Sequence, residues 1–453
     1  MTSPQDSSSS SRIVYRCASM LAWYSIEYLL LACLYVYFVF STSAYMGFDV
    51  AINLEKVPFS MILIIAFVAI TPQKNNLRSF FLNCLLAIYI IPSSIVYAFS
   101  DKETWQYLVI LYSCLIVYIA SAVQIPVVRT VYIHRKILLQ VSLASTVAIL
   151  FAIWHFSGFA NFNLDITQVY EFRSEASNDL PGIFGYITSI TAKIIIPLGL
   201  VISLQYRKYL TAAAVIAMAV ILFGFTSNKG VLVYPILSVA IYVFLLTTMR
   251  FSLVIAGLSA ALIFACIDAA LYFSFDGASP WGLFVDIIVR RGIFLPPLLD
   301  YDHLTFFGEN PKFYWSMSKI TLGMVPSPYD ITPQYVIGQA FFHSADTAAN
   351  TGFIGNGYAQ AGLLGSTVYA IGVGFVISLL SNLGRKFGAP FVGAIVFSQV
   401  ITMLTGADFL TMMLTHGMLV SLFLLMVVRS PEDMTTSRNK ERSLPLGLAS
   451  ELP

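Results

Sequence analysis

Twelve long apolar runs constrain this chain more than any other feature. They cover 20–42, 57–72, 79–99, 105–127, 137–157, 183–205, 209–227, 230–249, 251–275, 358–381, 389–407 and 410–428. A helix needs roughly 20 mostly apolar residues to cross a bilayer. The runs are continuously apolar rather than alternating, which excludes the strands of a membrane barrel. Only a short polar turn divides the hairpins 209–249 and 389–428. Of the 453 residues, 58% are hydrophobic and 11% charged, whereas a soluble domain is about a quarter charged. A cytosolic enzyme, a nucleic-acid binder and a disulfide-rich secreted protein are therefore excluded. The five cysteines lie in or beside apolar runs, so neither a disulfide framework nor a cysteine metal site is indicated. The first run is too long for the core of a cleaved signal peptide and reads as a signal-anchor.

Charge fixes the expected orientation. With the N-terminus on the cytoplasmic side, inner segments carry 16 of the 25 basic residues and outer segments eight. The acidic residues run the other way, five inside and 16 outside. This bias is the positive-inside pattern. It predicts an all-α polytopic membrane protein of about 12 transmembrane helices with both termini cytoplasmic. The chain divides into a tail (1–19), one transmembrane bundle (20–429) and a disordered cytoplasmic tail (430–453). The inner loops are short and leave no site for a nucleotide. Two outer segments are longer than a turn requires, 158–182 and 276–357, so chemistry is expected on the outer face.

The larger outer segment holds most of the candidate residues. Residues 281–295 are predicted to form a short surface helix with Trp281, Phe284, Ile288 and Leu295 on its apolar face, ended by Pro296 and Pro297. Arg290 and Arg291 fall in its last turn. Two readings stand side by side: they anchor the helix at the interface, or their planar, always charged forks hold a phosphate or pyrophosphate. Asp300-Tyr301-Asp302-His303 follows. Asp302 or His303 is a candidate general base. The Asp-x-Asp spacing can hold a divalent cation, although no cofactor is expected and the carboxylates read equally as solvated. Phe306, Phe307, Phe313, Tyr314 and Trp315 read as an interfacial belt or as faces that stack on sugars.

At the end of this segment Gly352, Gly355, Gly357, Gly362 and Gly365 interrupt the approach to a spanning helix. Such an entry offers backbone N–H groups and a helix dipole to an anion, or simply allows close helix packing. Lys193 and Asp268 lie inside predicted spans, where an unpaired charge is costly. They are expected to face the bundle interior as a pair.

Three stretches together resemble the Wzy-type O-antigen polymerases. They are Thr226-Ser227-Asn228-Lys229-Gly230, Arg290-Arg291…Pro296-Pro297…Tyr301, and Ala349-Asn350-Thr351-Gly352-Phe353-Ile354-Gly355-Asn356-Gly357-Tyr358 followed by Gly362 and Gly365. The order of spans and loops matches over most of the chain, while the first 180 residues resemble the family only in hydropathy. The resemblance implies a GT-C-like glycosyltransferase fold with a large periplasmic loop between helices 9 and 10, in a bacterial inner membrane. It implies transfer of a growing glycan from undecaprenyl pyrophosphate to a sugar hydroxyl of the next lipid-linked repeat unit. Membrane lipid and a polysaccharide chain-length regulator would be its other partners, with no nucleic acid. Carried onto this chain, it makes Arg290, Arg291, Asp302 and His303 catalytic, with Glu171 a further candidate base. Arg173, Lys229, Tyr301, Asn350, Gly352 and Tyr358 would bind substrate.

The related ligases carry a histidine just before the last Gly-rich helix entry. Here the nearest is His343, seven residues before Asn350, which favours polymerase over ligase. A flippase or other transporter is the rival from another class. It would not need so long an outer segment, and its spans would be richer in charge.

Overall fold

The computed structural model describes residues 4–126, 133–159, 162–164, 182–247, 251–277 and 280–428. Glu171, Arg173 and the tail 430–453 lie outside them. Among the described residues there are helices and no β-strand, only an isolated bridge between Ile133 and Val428.

Among the described residues, eight helices are long and apolar enough to cross a membrane: Ala18–Met46, Leu77–Phe99, Arg135–Phe156, Ile183–Gln205, Tyr209–Thr226, Gly230–Thr247, Val254–Ser274 and Phe353–Phe387. Four shorter apolar helices, Lys56–Ile70, Thr104–Ala120, Ala389–Thr405 and Met418–Val427, fall on the other predicted runs. The first helix runs back to Pro4, through the polar N-terminal segment. Leu29, Ile62, Phe151, Ile236 and Phe423 are exposed on these helices. Such large apolar surfaces are a liability in water and are satisfied in lipid. The architecture is that of a polytopic membrane protein.

The chain divides into two compact units. One comprises Ile125–Thr247, Leu379–Gln399 and Met413–Pro453. Ile153, Ile196, Leu200, Val215, Leu222 and Phe223 form its core. Arg135 ties its helices together by donating to Gln205 at 2.8 Å and to the Phe387 carbonyl at 3.1 Å. Lys193, on the π-helical turn Thr191–Ile195, donates to His416 Nδ1 at 2.9 Å and lies 5.7 Å from the Tyr234 ring centre.

The other unit comprises Met1–Gln124, Thr248–Ser378 and Val400–Met412, and holds most of the candidate residues. Asp268 accepts from the Gly282 and Val285 N–H groups at 3.0 Å each. The expected Lys193–Asp268 pair is thus replaced by two separate arrangements. Asp268 satisfies backbone donors that a helix start leaves free, and Lys193 is held by an imidazole.

The prolines do not end the helix after Arg291. Leu283–Val285, the π-helical Asp286–Phe294 and Leu295–Glu309 follow one another without a break. Pro296 and Pro297 open the last of these, positions where the missing N–H costs little. Of the aromatic residues, Phe307 and Phe313 are neither a belt nor a stacking face, while Tyr314 is exposed. Phe307 and Phe313 are enclosed with Val336 and Ile337, and the Phe313 and Tyr329 ring centres lie 4.9 Å apart. They are the core that lets residues 295–349 fold.

Phe353–Phe387 breaks at Ala361 and Gly362, where Gly362 has φ +60°. The break folds Gly357 against Gly365 and Ser366, and Ser366 donates to the Ile354 carbonyl at 2.9 Å. A Cβ at either Gly357 or Gly365 would collide with the other's backbone or its neighbour.

Candidate functional site

The helix Leu295–Glu309 organises the site because its polar side chains leave on different faces. Residues two apart on a helix are separated by about 200°, so Asp300 and Asp302 diverge. The Asp-x-Asp pair therefore forms no shared ligand set for a cation.

Asp300 points into the protein. Its carboxylate accepts from the Tyr89 hydroxyl, from Thr351 Oγ1 at 2.7 Å and from the Gly355 N–H at 2.7 Å. Burial pushes its pKa up to about 6 while these donors hold it down. The anion at the Gly-rich helix entry is thus the protein's own carboxylate. Glycine at 355 is required there, since a Cβ would fall on Asp300 Oδ1.

Asp302 leaves the opposite face. Its Oδ1 lies 3.6 Å from Lys102 Nζ. Burial pushes its pKa up to about 6, and Lys102 pulls it back down. Lys56 donates to the Lys102 carbonyl at 2.7 Å, which brings a second cation to this end of the helix. Thr305 lies one turn beyond Asp302 on the same face and accepts from Gln106 Nε2 at 2.6 Å. Beyond it opens a cleft of about 380 Å³, lined by Glu103, Trp105, Gln106, Thr305, Gly308, Glu309 and Tyr358.

His303 and Tyr301 do not reach this cleft. His303 is fully buried; its Nδ1–H donates to the Leu299 carbonyl at 2.7 Å, and its Nε2 has no partner. Burial lowers its pKa to about 4, so the ring is neutral. Tyr301 is fully buried and donates to the Ser93 carbonyl at 3.1 Å. Both hold the helix in place, a correction to the catalytic and substrate-binding roles expected of them.

The two arginines also separate. Arg290 is buried, ion-paired through Nε to Asp286, with Nη1 2.9 Å from Met46 Sδ. Arg291 is exposed, its Nε 3.4 Å from Asp286 Oδ2. One carboxylate between two guanidinium groups leaves a net positive charge, and Arg291 presents it.

Among the remaining candidates, Tyr358 lines the cleft. Gly352 is a packing position, since a Cβ would collide with the Leu404 carbonyl. Asn350 is exposed and is not a lining residue of the cleft. Lys229 is exposed in a turn of the other unit, where the Gly230 N–H donates to Asn228 Oδ1 at 3.0 Å.

The chain matches no protein-family model, no curated protein and no solved structure. Sequence reasoning missed Lys102, Trp105, Tyr89 and Asp286. Only Asp286 left a signal, an acid four residues before an arginine on a helix.

Proposed function

We propose that this protein is a membrane glycosyltransferase that polymerises oligosaccharide repeat units carried on undecaprenyl pyrophosphate, at the periplasmic face of a bacterial inner membrane. In this reading the chain crosses the membrane twelve times in a GT-C-like arrangement. The observation that carries it is one helix face. Asp302, ion-paired to Lys102, stands one turn from a cleft walled by Trp105 and Tyr358 and rimmed by Glu103 and Glu309.

Asp302 takes the proton of the acceptor hydroxyl. The freed oxygen attacks the anomeric carbon of the donor glycan, the bond to pyrophosphate breaks, and undecaprenyl pyrophosphate leaves with the electron pair. Lys102 and Lys56 offer positive charge where that leaving group develops its own. Arg291 lies eleven residues before Asp302, ~16 Å along the helix at 1.5 Å per residue. That span exceeds the reach of a single displacement. Arg291 therefore suits the pyrophosphate that anchors the acceptor, a short oligosaccharide away from the reacting hydroxyl.

Deleting the gene and resolving surface polysaccharide on a gel tests the reading. The ladder should vanish and leave lipid A–core bearing one repeat unit. A normal ladder overturns the proposal, and core without any repeat unit points to a ligase or flippase.

A further inference from the structure

The cleft beside the Leu295–Glu309 helix has a particular polarity. Two of its polar side chains, Gln106 and Thr305, are already engaged. Gln106 Nε2 donates to Thr305 at 2.6 Å, and Gln106 Oε1 accepts from the Glu103 N–H at 3.1 Å. The Thr305 hydroxyl donates to the Tyr301 carbonyl at 2.9 Å. Lys312 donates to the Asn310 carbonyl at 3.2 Å and lies 5.8 Å from the Tyr358 ring centre. The charge on its lining is a pair of exposed carboxylates, Glu309 and the helix-capping Glu103, beside the Trp105 indole N–H and the Tyr358 hydroxyl. An ionised carboxylate only accepts hydrogen bonds.

The walls are aromatic. Trp105 is 41% exposed and backs onto Gly308, where a Cβ would stand 3.4 Å from the indole. The Trp105 and Tyr358 ring centres lie 6.3 Å apart with planes inclined at 39°. Two tilted aromatic faces and a rim whose charged lining residues are both carboxylates fit a ligand with a flat C–H face, several hydroxyls and no negative charge. A carboxylate-bearing sugar would set like charge against Glu103 and Glu309, an arrangement that rejects a partner rather than merely failing to attract it.

We infer that this cleft is a subsite for an uncharged hexopyranose, the terminal sugar of the acceptor, and that it discriminates against uronic acids. The role as acceptor rests on the glycosyltransferase reading; the binding does not require turnover. The test uses the purified full-length protein in nanodiscs, with methyl glucopyranoside, methyl glucuronide and tetramethylammonium as probes, followed by saturation-transfer NMR.

Methyl glucopyranoside should bind and methyl glucuronide should bind about tenfold more weakly, a difference of about 1.4 kcal/mol. Trp105→Ala should abolish binding. Glu309→Gln, which removes the charge and keeps an acceptor oxygen at the rim, should improve glucuronide binding several-fold relative to the glucoside, a gain that misfolding cannot mimic. Equal binding of the two sugars overturns the inference, as does binding of tetramethylammonium alone or the absence of any sugar signal. A normal polysaccharide ladder in the deletion strain removes the transferase reading but leaves the binding result standing.

Discussion

Asp302 Oδ1 and Lys102 Nζ lie 3.6 Å apart, joining the turn before the helix Thr104–Ala120 to the helix Leu295–Glu309. Burial raises the Asp302 pKa to about 6 and Lys102 opposes the rise. A base must be ionised, so chain extension should fall as pH drops through about 6. Lys102→Ala removes the opposing charge and should move that acid limb to higher pH. Asp302→Asn should slow extension by about 10²–10⁴, the usual worth of a general base. A pH–rate profile in reconstituted vesicles reads all three; an unmoved limb in Lys102→Ala counts against the base assignment.

Asp300 offers a stability test that is independent of activity. Asparagine at 300 would turn an amide N–H₂ toward the Tyr89, Thr351 and Gly355 donors, so Asp300→Asn should cost about 1–3 kcal/mol, the penalty of unmade buried hydrogen bonds. The folded pKa of Asp300 is raised, so its titration contributes stability that is full below the ordinary carboxylate range and lost as pH rises through about 6. The variant lacks that contribution. Its Tm deficit against the wild type should therefore widen as pH falls from 7 toward 4.5. Comparing the two proteins cancels the opposite contribution of His303, whose lowered pKa adds stability that is lost as pH falls through about 4.

The two arginines should behave differently. Arg291→Ala should raise the KM for the lipid-linked acceptor with little change in Tm, because Arg291 is exposed. Arg290→Ala should lower Tm, since it leaves Asp286 without its buried partner, a loss of about 1–3 kcal/mol. Thermal unfolding in detergent beside acceptor-dependence kinetics separates them. Equal loss of Tm in both would refute the division.

Gly352→Ala should prevent stable accumulation in the membrane, because its Cβ would meet the Leu404 carbonyl, which is backbone and has no room to yield. Gly257→Ala is the control: nothing stands within 4 Å of its Cβ, and that protein should reach normal levels. Immunoblots of membrane fractions suffice.

Helical character was legible because lipid imposes it: every apolar run long enough to span must close its own backbone hydrogen bonds. The loop was less legible. Pro296-Pro297 reads as a stop, yet the preceding π-helical turns carry the chain through into a new helix start. Phe307 and Phe313 read as surface aromatics because hydropathy does not reveal that residues 295–349 have a core of their own. Of the candidate site, Asp302 and Tyr358 were among the residues read from the sequence. It was silent on Lys102 and Trp105, since their partners lie far along the chain and no local pattern links them. Asp300 and Asp302 looked alike as neighbours; the turn of helix between them sends one to Tyr89, Thr351 and Gly355 and the other to Lys102.

Asp300 also sets a timetable. Gly355, one of its donors, comes fifty-five residues later in the chain. At about 5–20 residues per second of synthesis, the carboxyl emerges several seconds before Thr351 and Gly355 exist to receive it. During that interval the helix Leu295–Glu309 has only its earlier partners, Tyr89, Ser93, Lys102 and Gln106, and Asp300 lacks two of its three donors. A ribosome stalled between Glu309 and Thr351 would hold a chain whose buried Asp300 has Tyr89 as its one donor, so that carboxylate is fully satisfied only once the late helix entry has been made.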